Sequence, residues 1–353
     1  MAKSAVRTYL LSPKTDWLTV GGLSVILLPL FLFFIPNDAN SSTQVGWFLY
    51  GIAFVVNYPH FTVSYQLLYG DYRKRILKDY RFFWAAIVVP ILLLAYMIWA
   101  HFQQTQESLA YFVEFMFVIV GWHYVKQSYG AVMVTSSLNK YQFSALERNL
   151  MKVNLYALWI TSFLSFNIGE MPPQDYWGIP YYSLNFPIEA IYTAYVITAL
   201  TLLIFGVLML LKVKKSGTWP PLNSILSFVS IYAWFLPVLY DPVFFLAIPF
   251  FHSIQYFTFV IALKKREGDA VDKKNKSGLK LAMTYLIVAI ISGALFFELI
   301  PRILDVTVPY NHDLFGEGLF LFLFSVCINI HHYFIDNVIW RRDNEEVSKY
   351  LFH

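Results

Sequence analysis

Five histidines lie inside apolar stretches of this chain. They are His60 in NYPHFTVSYQ, His123 in GWHYVKQSYG, His252 in FFHSIQYF, and the adjacent His331 and His332 in NIHHYFIDN. Imidazole is the commonest side-chain metal ligand. An ionisable group within a bilayer is costly, faces a bundle interior or a cavity, and marks a functional site by default. Several such groups on separate segments imply one shared polar site. Coordination of a divalent cation by His60, His123, His252 and either His331 or His332 would unite them.

Each histidine has polar company one helical turn away, on the same face. His60 has Asn57 and Ser64, His123 has Lys126 and Gln127, His252 has Gln255 and Tyr256, and His332 has Asn329 and Asp336. A ligating imidazole usually donates its second N–H to a carboxylate, amide or carbonyl, so Asp336, Gln127 and Gln255 are expected to orient the rings. Lys126 needs a counter-charge, for which Asp336 and Glu114 are the candidates, or it snorkels toward water. Cys327, one turn before His331, reads as a small buried hydrophobe. Asp16 reads as a helix cap and Asp241 as a turn residue. His101 and His312 fall in loops, His353 is the last residue, and all three read as solvated.

The elements that must position these residues are transmembrane helices. The chain is 58% hydrophobic and 14% charged, against about 25% charged in soluble domains. No polar stretch is long enough for a core of its own, so residues 1–353 read as a single all-α, polytopic membrane bundle. Ten spans are predicted, at 17–35, 46–70, 82–100, 109–137, 150–169, 190–213, 223–240, 243–263, 281–303 and 319–340. The basic start, MAKSAVRTYLLSPKTDW, precedes an apolar run too long for a signal-peptide core, and it reads as retained. The single cysteine excludes an intrachain disulfide and any CxxC motif.

Loop charge sets the orientation. Lys and Arg concentrate in the N-terminal segment 1–16, in DYRKRILKDYR, at Lys140 and Arg148, at Lys212, Lys214 and Lys215, in the basic loop 264–280, and in the tail 341–353. The alternate loops carry almost none, which by the positive-inside rule places both termini in the cytoplasm. The same distribution explains the formal charge of +4 without a nucleic-acid partner. The second, fourth, eighth and tenth spans then all run inward. At 1.5 Å per residue, His60, His123, His252 and His331/His332 lie about 20, 21, 14 and 18–20 Å from the outer starts of their spans. In a hydrocarbon core about 30 Å thick they share one layer.

Histidine ligation supported by neutral amides leaves a cation's charge in place. It suits Fe(II), Zn or Cu with an open position, and an apolar aromatic surround favours Fe(II) and oxygen chemistry. Aromatic residues make up 19% of the chain; they supply interfacial belts, helix packing, or the wall of a cavity for a long lipophilic ligand. The glutamates and Glu-x-x-His motifs of soluble-type di-iron bundles are absent, as are the HxxxH and HxxHH boxes of membrane desaturases. In its helical architecture and its dispersal of His60, His123, His252 and His331/His332 over separate helices, the chain resembles the bacterial membrane carotene-cleaving oxygenases of the Brp/Blh family. That resemblance implies a non-haem iron held by these histidines and an oxygen-dependent attack on a polyene or other lipid.

Two other readings use the same residues. Facing pairs, His60 with His123 and His252 with His332, would suit b-type haem. A proton relay through the histidines, Lys126 and Asp336 would suit a secondary transporter, with Pro59, Pro237 and Pro249 interrupting its helices. No phosphate-binding or nucleophile-elbow motif occurs. The partners expected are the bilayer and a lipophilic small molecule.

Overall fold

A long apolar run with no water to satisfy its backbone has one local solution, the α-helix. The computed structural model describes residues 8–34, 38–103, 105–170, 173–272 and 277–352, and the apolar runs are helices. They are α1 (Pro13–Phe34), α2 (Ala39–Tyr65), α3 (Tyr80–Gln103) and α4 (Glu107–Leu138), and α5 (Ala145–Ser165). After a short hairpin follow α6 (Ile188–Ser216), α7 (Leu222–Leu239), α8 (Val243–Val271), α9 (Gly278–Thr307) and α10 (Leu319–Ile339). A short α11 (Glu345–Leu351) ends the described chain.

Among the described residues, eight of these helices are long and apolar enough to cross a membrane. The two others, α2 and α5, have 27 and 21 residues and the length to cross, but are more polar. Each of the ten segments expected from the sequence is thus occupied by a helix, and eight have the composition of a span.

Local chemistry sets the ends. Asp38 caps α2 by accepting from Asn40 N and Ser41 N at 3.1 and 3.0 Å. A capping box starts α5: Ser144 Oγ accepts from Glu147 N at 3.2 Å, and Ser144 N donates to Glu147 Oε2 at 2.8 Å. Gly217, at φ 68°, closes α6 in the left-handed conformation. Asp241 accepts from Val243 N at 2.9 Å and so makes the expected turn between α7 and α8. A proline inside a helix removes one N–H and crowds the preceding turn. In α3 and α9, widened π turns at Trp84–Val88 and Leu295–Leu299 lie just before Pro90 and Pro301.

The segment after α5 forms a hairpin. β1 (Gln174–Tyr176) pairs antiparallel with β2 (Ile179–Tyr181). Trp177 and Gly178 turn between them with φ of 54° and 84°, the two positive values that a two-residue type I′ turn needs.

Three further expectations are corrected. The segment 264–280 is not all loop: α8 runs on to Val271, and Lys264 and Arg266 are buried. Lys264 Nζ pairs with Asp71 and, at 2.7 Å, with Glu267. Arg266 donates to the carbonyls of Tyr350, Tyr9 and Leu10. Arg266 therefore ties both terminal segments to the bundle. Asp16 is not the helix cap. It is buried and accepts from the amides of Leu10, Leu11 and Ser12 at 2.6, 2.9 and 3.3 Å, while Ser12 caps α1. The segment 341–353 is not a free tail, because α11 buries Val347 and Leu351. Just before it, hydrogen bonds from Arg341 and Arg81 hold the Asp343 carboxyl well below the usual carboxylate range.

The helices that bear the histidines lie together. α2 packs on α8 and α10, and α4 packs on α10, with α5, α7 and α9 outside them. Two close approaches set this spacing. Gly293 of α9 rests on the Tyr58–Pro59 backbone, where a Cβ would meet atoms at 3.0–3.2 Å. Gly121 of α4 admits Trp159 of α5, whose Nε1 donates to Val118 O at 2.8 Å. A Cβ on Gly121 would lie 2.6 Å from Trp159 Cδ1. Gly121→Ala is expected to displace the indole and break that bond, costing about 1–3 kcal/mol even after the gain in helix propensity. A thermal melt unchanged by the substitution would refute this account of the contact.

Candidate metal centre

The centre grows out of four helix interiors. His60 of α2, His123 of α4, His252 of α8 and His332 of α10 are all buried, with 0, 5, 2 and 0% exposure. Each offers a ring nitrogen, and these four atoms lie within 4.8 Å of one another. The rings close on each other at centroid separations of 4.4 Å (His60–His332), 4.7 Å (His60–His252), 4.9 Å (His123–His252) and 5.0 Å (His123–His332). His123 Nε2 and His252 Nε2 stand 3.2 Å apart. Four nitrogens at Zn-like bond lengths of about 2.0–2.1 Å from a shared ion would be about 3.4 Å apart along each tetrahedral edge.

The hydrogen bonding tests whether these residues fit a cation. His60 Nδ1 is 3.1 Å from Ser253 Oγ, and that hydroxyl donates onward to Asn57 Oδ1 at 3.1 Å. Ser253 therefore accepts from His60 Nδ1–H, and the Nε2 lone pair points elsewhere. His60 Nε2, His252 Nδ1 and both ring nitrogens of His332 are buried without a protein hydrogen-bond partner. Unpaired buried polar atoms cost about 1–3 kcal/mol each. Each of these three rings thus keeps a nitrogen lone pair or N–H that no protein group uses, and one nitrogen of each lies within 4.8 Å of the others and of one on His123, which fits a shared cation.

A carboxylate stands beside the quartet. Asp336 Oδ2 lies 3.4 Å from His332 Nε2 and 3.9 Å from His123 Nε2. Its other oxygen accepts from Ser64 Oγ at 2.6 Å and from Tyr256 Oη at 3.3 Å. Ser64 and Tyr256 also meet, at 2.7 Å, and the Tyr256 ring packs on His60 with centroids 4.2 Å apart. Tyr333 covers His123 at 4.7 Å and Tyr124 covers His252 at 4.6 Å. The result is a polar knot with aromatic walls.

The structure divides the adjacent pair of histidines. His332 joins the quartet, whereas His331 turns away. His331 Nδ1 meets Tyr65 Oη at 2.8 Å and its Nε2 meets Ala85 O at 2.8 Å. With both nitrogens engaged it has no lone pair to offer, and its expected place as a ligand is corrected to that of an interhelical link.

The expected supporting residues divide likewise. Asn57, Ser64, Tyr256 and Asp336 surround the centre, though Tyr256 serves Asp336 and His60 rather than His252. Gln127 and Gln255 do not bond an imidazole nitrogen. Gln127 Nε2 donates to the backbone carbonyl of His252 and to Gln255 Oε1, each at 3.0 Å, and Gln255 Nε2 donates to Val20 O at 2.5 Å. They fix α8 rather than a ring. Asn329 accepts from Tyr333 Oη at 3.0 Å, one residue removed from the histidines. Lys126 pairs with neither Asp336 nor Glu114: it donates to Asn337 Oδ1 and lies 4.3 Å over the Trp122 ring. Cys327 contacts Met97 Sδ at 2.9 Å, away from the quartet. His312 is exposed beside Glu317, His101 packs against Phe102, and His353 lies outside the described residues.

Ser253 was not legible as a partner. It follows His252 by one residue and serves a histidine on another helix, which no spacing rule within one segment finds. A cavity of about 890 Å³ reaches this centre, with His123, Tyr256, Tyr333 and Asp336 at its inner end. Fold and site together define an all-α bundle of membrane-spanning type around four buried, converging histidines. Comparison with protein-family models, with curated proteins and with solved structures gives no match to the chain.

Proposed function

We propose that the protein is a membrane-embedded metalloenzyme in which His60, His123, His252 and His332 hold one divalent cation, and that it oxidises a lipophilic substrate. The observation that carries this reading is the convergence of four buried imidazoles, three of which have a ring nitrogen without a protein partner. A histidine-rich site with room for one more ligand suits Fe(II), which when bound would supply oxygen activation. The Brp/Blh-type oxygenases, which the chain resembles in architecture and histidine dispersal, motivate iron and a polyene or other lipid substrate.

The protein's own residues have separable tasks. Ser253 and Asn57 hold the His60 ring with its Nε2 lone pair inward. Asp336, fixed by Ser64 and Tyr256, supplies negative charge. Tyr124, Tyr256 and Tyr333 keep water from the rings and give an apolar substrate a surface. The cavity beside His123 and Asp336 is the approach route. In the membrane we place ten spans with both termini cytoplasmic, which the even number of long helices and the alternating loop charge support.

Close packing of the four rings argues against haem between His60 and His123, since His252 and His332 each lie within 5.0 Å of both rings. A relay from Lys126 to Asp336 finds no support either, because each is held by other partners. Metal analysis of the purified protein tests the proposal. One equivalent of iron per chain is expected, falling to background in His60→Ala, His123→Ala and His252→Ala, together with loss of oxygen consumption on lipid extracts. Wild-type protein with no stoichiometric metal after reconstitution with Fe(II), Zn or Cu would end it.

A further inference from the structure

The cavity that reaches the centre is electrically lopsided. Its inner end holds Asp336, the one carboxylate among the described residues of its lining, next to His123. Its outer part is lined by Lys140, Arg148, Arg341 and Arg342, while Lys126 lies one turn from His123 and donates to Asn337. Between the two ends the wall carries Met133, Val134 and Phe259 among neutral polar residues such as Gln127 and Ser137. Seventeen residues of α4 and its end separate His123 from Lys140, which at 1.5 Å per residue is about 25 Å. Its volume, about 890 Å³, falls in the range of ligand pockets.

Little neutralises the basic end. Arg341 is shared with Asp343, at 2.9 and 3.0 Å, and Arg148 donates to the carbonyl of Phe143. Among the described residues, Lys140, Arg148 and Arg342 form no ion pair. A second cleft beside the first shares Lys126, Arg341 and Arg342 and adds Lys152 and Asp343. A neutral hydrocarbon would use none of these cations. A chain with an anionic head would use Lys140, Arg148 and Arg342, with the head at the helix ends and the tail running inward. A bilayer presents its own amphiphiles in that orientation.

We infer that the ligand of this cavity is an anionic amphiphile, a long apolar chain ending in a carboxylate or phosphate, held by Arg148, Arg342 and Lys140 so that its chain reaches the histidine quartet. That this ligand is the substrate rests on the metalloenzyme reading; that it binds does not. The inference also departs from an unsubstituted polyene, which has no head group for these side chains to grip.

Binding of radiolabelled palmitate, hexadecyl phosphate and hexadecanol to the full-length protein in phosphatidylcholine nanodiscs tests it. One saturable site is expected, at least about tenfold tighter for an anion than for the alcohol, the worth of one charge-assisted contact. Arg148→Gln with Arg342→Gln should weaken anion binding by a further tenfold or more while leaving the melting temperature and metal content unchanged. His332→Ala should still bind the amphiphile, so loss of metal and loss of head-group recognition are read separately. Discs containing phosphatidylglycerol separate two sources of the head: displacement of palmitate assigns the site to a membrane lipid, and its retention assigns it to a free amphiphile. Equal affinity for hexadecanol, or anion binding unmoved by the double substitution, overturns the inference.

Discussion

His332→Ala is expected to lose stoichiometric metal while His331→Ala keeps it, although the two residues are neighbours. His332 has no exposure, and neither ring nitrogen has a hydrogen-bond partner. The ring is held by contact with His60, His123 and Phe61, and its removal takes one of four donors from the cation. Affinity should fall by more than about a hundredfold, the upper limit for residues that only orient ligands. His331 has the opposite profile. Its two hydrogen bonds join α10 to Tyr65 and to Ala85, and alanine would leave a tyrosine hydroxyl and a carbonyl without partners. That should cost about 2–4 kcal/mol of stability with metal content intact. Elemental analysis and thermal melts of the two variants decide it. Metal lost from His331→Ala and retained by His332→Ala would sink the assignment of ligands.

The same pair shows where the sequence stops informing. Ten apolar segments specify ten helices, because a buried backbone has no other way to satisfy itself, and charge alternation with helical rise places the histidines in one layer. Rotation about the helix axis is another matter. Adjacent residues differ by about 100°; Asn329 and Asp336 mark the His332 face of α10 and Cys327 the His331 face, but a polar neighbour on one helix does not fix which face the other helices meet. Neighbours one turn away were informative only where they faced the site. Asp336 and Ser64 do, whereas Gln127, Gln255 and Asn329 use their amides on backbone or tyrosine. The basic run at 264–280 misled for a related reason. Lys264 is buried because Asp71 arrives from another element, and a charge count along one segment cannot see it. The hairpin at Gln174–Tyr181 was hidden in an aromatic stretch whose turn depends on Trp177 taking a positive φ, a conformation uncommon for a bulky residue.

Asp336→Asn is expected to weaken divalent-cation binding by about ten- to a hundredfold with little loss of fold. Four neutral imidazoles leave a dication two negative charges short of balance, and in a buried site an unbalanced ion is expensive. Asp336 is the carboxylate that faces the rings, with Oδ2 3.4 Å from His332 Nε2 and 3.9 Å from His123 Nε2. Asparagine preserves the shape and leaves an oxygen to accept from Ser64 and Tyr256, so the variant removes charge rather than packing. Ser64→Ala removes one hydrogen bond to that carboxylate and should have the smaller effect, within about tenfold. Chelator competition gives the affinities, and a melt without metal shows whether the fold is retained. If Asp336→Asn binds the cation as tightly as wild type, Asp336 is a structural partner of Ser64 and Tyr256 and not the counter-charge. If it binds more weakly and Ser64→Ala follows in the same direction, the carboxylate and the residues that aim it belong to the centre as a unit.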